Sequence, residues 1–118
     1  MQYMLLIYME AHAMSDTERE HCAGESAQLA QQLHASGPYL ATAPLHPVAT
    51  ATSVRVRAGK RLVTDGPLAE TREQLGGFFL INATALDEAI GIAARIPGGR
   101  VGTVEIRPVI EVVGLPEQ

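Results

Sequence analysis

The sequence contains no tryptophan, two phenylalanines and a single cysteine, and the last of these removes a class of protein. Cys22 alone closes no internal disulfide, which argues against a stapled secreted scaffold. The N-terminal residues lack the basic start and small-residue cleavage site of a secretory signal, so a reducing cytoplasm is the expected compartment. The longest apolar run, residues 4–9, falls far short of the ~20 residues needed to span a bilayer, so no membrane partner is expected. Cations are also scarce. Nine Lys and Arg stand against 13 Asp and Glu, for a net charge of −4, which argues against an extended nucleic-acid footprint. Arg55, Arg57, Lys60 and Arg61 do cluster, and they read as the solvated face of a hairpin. There is no GxGxxG, P-loop, GxSxG or CxxCH motif, and no cofactor is implied.

What is present describes one domain, 1–118, long enough to bury roughly two-thirds of its unfolded surface. Residues 2–9 are apolar and aromatic without an interior charge, as in a central strand covered on both faces. Ser15-Asp16-Thr17-Glu18 has the spacing of a capping box and starts a helix. Cys22, Leu29 and Leu33, with Ala23 and Ala30, form its stripe, and Ser36-Gly37-Pro38 ends it. Residues 39–45 make a short strand, which Pro44 and Pro47 confine to an edge. Val54, Val56 and Ala58 alternate with polar residues before a turn containing Gly59, the signal of a hairpin. Residues 77–82 are a second strand apolar on both faces. Thr84 to Asp87 repeats the capping pattern ahead of Leu86, Ala89, Ile90, Ala93 and Ile96 at helical spacing, and residues 101–113 close the chain as a long strand.

That order is an α+β, split β-α-β arrangement with an inserted hairpin. Two helices cover only one face of its sheet, yet both central strands are apolar on both faces. The uncovered face, to which Leu5, Ile7 and Phe79 are assigned, implies a homodimer with two sheets face to face.

The runs "YMLLIY", "TATSVRVRAGKRLVTDGPLAETREQLGGFFLI" and "LDEAIGIAARIPGGRVGTVEIRPV" resemble the YCII-related family, in the branch named for an Asp-Gly-Pro-Phe (DGPF) motif. Leu68 stands where that branch has Phe, which preserves an apolar side chain without the aromatic ring. The resemblance implies a ferredoxin-like domain with an antiparallel sheet, paired into a dimeric α/β barrel. It also implies a histidine–aspartate active site of the kind proposed for relatives, and a link to extracytoplasmic-function sigma factors beside which some members of the branch are encoded.

Candidate sites gather around "VTDGPLAETREQLGGF". "PLAETREQL" reads as a short helix, with Pro67 in its first turn and Gly76-Gly77 at its end. Asp65 has two readings: a turn residue accepting backbone amides, or a general base whose neighbour is Arg55 or Arg57. His46, held between two prolines, is either a surface histidine or the proton-transfer partner of Asp65. Arg55, Arg107 and Glu70 are the candidates for ligand binding, and Arg107 has the alternative of an ion pair across the dimer. His21 and Glu25 lie one helical turn apart, which reads as an ion pair; two ligands do not make a metal site. The expected function is acid–base chemistry or binding of a small organic molecule, and the alternative is a non-catalytic regulatory dimer linked to a sigma factor.

Overall fold

β1 (Gln2–Met9) is the strand around which the chain is organised. It pairs antiparallel with β5 (Gln74–Asn82) on one side and β6 (Thr103–Pro108) on the other, and β2 (Tyr39–Pro44) pairs with the far edge of β5. The sheet order is therefore β2-β5-β1-β6. These four strands and two helices, α1 (Asp16–Ser36) and α2 (Leu86–Ala93), make an antiparallel α+β unit consistent with a ferredoxin-like fold. Between β2 and β5 the chain forms a separate two-stranded sheet from β3 (Thr52–Arg57) and β4 (Lys60–Asp65). The computed structural model describes residues 1–116.

α1 starts where the capping residues dictate. Ser15 Oγ accepts from the Glu18 amide at 3.2 Å and the Ser15 amide donates to Glu18 Oε1 at 3.1 Å, the reciprocal pair of a capping box. The same bonds hold the Glu18 carboxyl below its ordinary range. Gly37, at φ 114°, ends the helix by donating its amide to Leu33. Only Leu29 and Leu33 of α1 are fully buried; Cys22 and Ala30 are half-buried, and Ala23 is exposed. α2 is shorter than its apolar spacing suggests, and it turns inward a side that shares Ala89 and Ala93 with the expected stripe, while Ile96, beyond its end, is buried as expected. Ala89, Ile92 and Ala93 are buried, while Leu86 and Ile90 are exposed.

Pairing register decides which residues face the helices. Tyr3, Leu5 and Ile7 of β1, Phe79 and Ile81 of β5, and Val104 and Ile106 of β6 join Leu29, Leu33, Ile92 and Ile96 in one core. The alternate residues point the other way: Met4, Leu6 and Tyr8 on β1, Phe78 and Leu80 on β5, and Thr103, Glu105 and Arg107 on β6. Leu5, Ile7 and Phe79 therefore face the helices, contrary to their assignment from sequence. Both strands are apolar through their centres, residues 3–9 and 78–81, so a period of two carries no mark of which side is which. Among the described residues no helix packs on this second face, and its apolar side chains are half-buried except Leu80, which is buried yet stands outside the helix-side core.

Three further expectations are corrected. Residues 66–73 form an irregular loop instead of a helix. The Gln74 side chain donates to the carbonyls of Ala69 and Thr71, and Thr71 Oγ1 donates to the Glu73 carbonyl at 2.6 Å, so side chains take up backbone groups a helix would have used. Gly76 and Gly77 lie inside β5, and a Cβ on Gly77 would come within 3.0 Å of the Ala43 carbonyl oxygen across the ladder. β6 ends at Pro108, because β1 begins at Gln2 and leaves residues past Val109, whose amide donates to the Gln2 carbonyl, without a strand to pair with.

Two glycine substitutions test this packing in opposite directions. A Cβ at Gly102 would overlap the Tyr8 carbonyl oxygen and come within 3.0 Å of Met9 Cβ, and backbone of the central strand has little room to yield. Gly102→Ala is expected to lower stability by about 1–3 kcal/mol in urea unfolding. Gly24 lies within α1 with nothing within 4 Å of its Cβ position, and Gly24→Ala is expected to raise stability by about 0.5–1 kcal/mol.

Candidate functional site

The residues singled out by sequence lie on different parts of this frame. Asp65 is the last residue of β4, exposed and opposite Thr52 at the base of the β3–β4 hairpin. That base is closed by two bonds around the next residue: the Gly66 amide donates to the Ala51 carbonyl at 2.7 Å, and Ser53 Oγ donates to the Gly66 carbonyl at 2.7 Å. Gly66 sits at φ 111°, where a side chain would be strained, which accounts for glycine after Asp65. Among the described residues no hydrogen bond holds the Asp65 carboxylate, and the amide of the next residue, Gly66, is given to Ala51.

The hairpin register separates two residues that sequence reasoning had linked. Thr52, Val54 and Val56 share a face with Asp65, Val63 and Arg61, while Arg55 and Arg57 share the opposite face with Leu62 and Lys60. The cation on the same face as Asp65 is Arg61. His46 is exposed in the connection between β2 and a 3₁₀ turn at Val48–Thr50, just after the Leu45 amide makes a last bond to the Gly76 carbonyl. Glu70 is exposed in the loop 66–73, and Arg107 is exposed on the open face of the main sheet, opposite Met4.

The structure assembles a different group of polar side chains at the end of that open face. Tyr8 and Thr103 are register partners on β1 and β6, Glu10 directly follows β1, and Thr71, Arg72 and Glu73 come from the loop that precedes β5. Together they line an open cleft of about 700 Å³. Two bonds tie the loop to the sheet. Arg72 Nε donates to Glu10 Oε1 at 2.5 Å, and Thr103 Oγ1 donates to Glu73 Oε1 at 2.9 Å. The hydrogen bond and charge of Glu10, with Glu73 beside it, hold the Arg72 guanidinium above its ordinary range, so it stays cationic at any working pH. Since Nε serves Glu10, the terminal nitrogens of Arg72 remain for an acceptor from a ligand, beside the hydroxyls of Tyr8, Thr71 and Thr103.

This group escaped the sequence reading because its members come from three distant segments. The available signal was Glu10, a charge placed directly after an apolar central strand, together with Arg72-Glu73 placed directly before another.

Elsewhere, His21 Nε2 lies 3.3 Å from Glu25 Oε1, and Glu25 also accepts both of its bonds from Arg100 Nη2, at 2.8 and 2.9 Å. The pair belongs to a surface ion cluster, and among the described residues no three His, Cys, Asp or Glu side chains group as a metal site would require. Burial, and next the Glu25 charge, raise the Cys22 thiol above its ordinary range. No described helix is long and apolar enough to cross a membrane.

A family profile described as the YCII-related domain matches residues 1–113. A protein of Rhizobium meliloti (strain 1021), itself described as uncharacterized, is 34% identical over 113 residues, which cover 92% of this chain and 91% of that one.

The raised Cys22 pKa has a measurable consequence. Because the thiolate is the reactive form, labelling by a chromogenic disulfide at pH 8 should be slower than for an unstructured cysteine peptide. Glu25→Gln removes a charge that disfavours the thiolate, and should move the rate-against-pH curve of the folded protein to lower pH.

Proposed function

Since the chain belongs to the YCII-related family, we propose that it acts as a cytoplasmic homodimer that binds a small polar organic molecule at the Tyr8–Arg72 cleft, beside paired sheets. The observation that carries this reading is the open sheet face, where Met4, Leu6, Phe78 and Leu80 form an apolar centre that no helix covers. A second copy is the simplest cover, giving the face-to-face barrel that the family resemblance implies, with more than about 1,500 Å² buried. Charge supports the choice of partner. Glu105 and Arg107 lie two residues apart on the exposed edge of this face, and neither has an ion pair within its own chain among the described residues. A two-fold axis passing beside them would set each against its opposite in the other copy.

The cleft adjoins this face through Tyr8 and Thr103, so the same dimer would narrow its mouth. The free terminal nitrogens of Arg72 and the Tyr8 hydroxyl favour a ligand with an anionic group, and Glu10 and Glu73 favour hydrogen-bond donors on the same molecule. Within this reading Asp65-Gly66-Pro67-Leu68 assigns the chain to the DGPF branch, and the β3–β4 hairpin is an insertion in a ferredoxin-like frame. Acid–base turnover would fall to Asp65 and His46, with Glu70 in the loop that follows Asp65, all three outside the residues that line the cleft. Arg55, across the hairpin from Asp65, is the weaker candidate to support it.

Two experiments test the proposal. Arg107→Glu should weaken dimerisation in sedimentation velocity, and adding Glu105→Arg should restore it; a double variant no better than the single one contradicts the reciprocal pairing. In a thermal-shift screen of small carboxylic acids, a ligand at a hundredfold excess over its dissociation constant should stabilise the wild type by about 2.7 kcal/mol. Arg72→Ala should lose that shift. If no small molecule shifts the protein while it co-purifies with an extracytoplasmic-function sigma factor, the regulatory reading replaces the ligand-binding one.

A further inference from the structure

The hairpin of β3 and β4 stands apart from the rest of the fold. Its strands pack on each other and make no comparable contact with another element. Every residue of β4 is exposed, as are all residues of β3 except Ser53. The dimensions of the molecule reflect this. Its radius of gyration is 16.0 Å, with extents of 46 × 43 × 21 Å, where a compact chain of this length would have about 13–14 Å.

An isolated two-stranded hairpin is at best marginally stable in water. The turn of this one does not make up the difference. Ala58 and Gly59 both have positive φ, 50° and 74°, as a type I′ turn requires, and the alanine is strained there. The register also gathers apolar residues on one face. Val54 lies opposite Val63 with Val56 beside them, and their exposures are 58, 60 and 62%. Leu68, in the connection that leaves the hairpin base, is 76% exposed. A side-chain row of this kind needs a cover, both to stabilise the hairpin and to keep it from aggregating.

Charge indicates what the cover is. Of the nine Lys and Arg in the chain, four lie in residues 52–65 with one acid, Asp65, which leaves five cations and 12 acids for everything else. The hairpin is thus a basic arm on an acidic body. We propose that the arm docks on a second copy of this chain. Val54, Val56 and Val63 lie on the other protomer with Arg61 on the same face to reach its carboxylates, while Arg55, Arg57 and Lys60, on the opposite face, add the positive charge that draws the arm to an acidic body. The proposal rests on the dimer inferred above and extends it from the sheet face to an exchange of arms. A chain of net charge −4 is a poor nucleic-acid binder, and the exposed valine row offers such a partner nothing, which favours protein as the occupant.

The test compares the wild type with a Val54→Glu/Val63→Glu double variant by sedimentation velocity, after circular dichroism has shown the variant to be folded. Hydrogen exchange across residues 52–65 is followed in parallel. The expected results are a dissociation constant raised at least about tenfold and wild-type arm amides whose protection falls on dilution together with the dimer. The exchange measurement uses the wild type alone, so it decides the matter even if the variant does not fold. An unchanged dissociation constant, or arm amides equally protected in dimer and monomer, overturns the arm contact while leaving the sheet-face dimer standing. Dimers that survive Leu80→Asp but not the valine variant support the arm and remove the sheet-face contact instead. A wild type that stays monomeric while binding a mixed-sequence DNA duplex through Arg55 and Arg57 overturns both in favour of a nucleic-acid partner.

Discussion

The structure depends on β1 being apolar from Tyr3 to Met9 and lying between two strands. A strand projects its side chains alternately to either side, so a strand without polar positions requires cover on both faces of its sheet. The chain supplies one cover itself, from α1, α2 and the 3₁₀ turn at Pro97–Arg100, over Tyr3, Leu5, Ile7, Phe79 and Ile81. Among the described residues no helix lies over Met4, Leu6, Phe78 and Leu80, of which only Leu80 is buried within the chain. The proposed dimer, the position of the cleft at one end of the open face and the role of the unpaired Glu105 and Arg107 all follow from that asymmetry.

Much of this was legible in the residues. The capping box at Ser15 and Glu18, the glycine at the end of α1 and the prolines that confine β2 to an edge each act through local bonds, so they can be read without tertiary information. The choice of face could not be read, because Phe78 and Phe79 are equally suited to a core and only the pairing register separates them. The loop 66–73 was misread because Pro67, Gly76 and Gly77 suit a helix, whereas the structure uses Gln74 to gather carbonyls and begins β5 there. In α2, spacing permitted more than one buried stripe, and the one chosen by packing includes Ile92 and excludes Leu86 and Ile90.

The candidate site was the least legible part. Tyr8, Glu10, Thr71, Arg72, Glu73 and Thr103 carry no shared motif, and they meet only because β1 pairs with both β5 and β6. Asp65 stood out in the sequence because of the Gly-Pro that follows it. In the structure the conformational demand belongs to Gly66, which closes the hairpin base through Ala51 and Ser53. A distinctive tetrapeptide can therefore record a backbone requirement as readily as a catalytic one.

The central claim is that the second sheet face is covered by another copy of the chain. Sedimentation equilibrium of the wild-type protein from nanomolar to micromolar concentration tests it most directly. The account predicts the mass of two 12.6 kDa chains at micromolar concentration, with any dissociation confined to the dilute end. A well-folded species of one chain's mass throughout the range would contradict it.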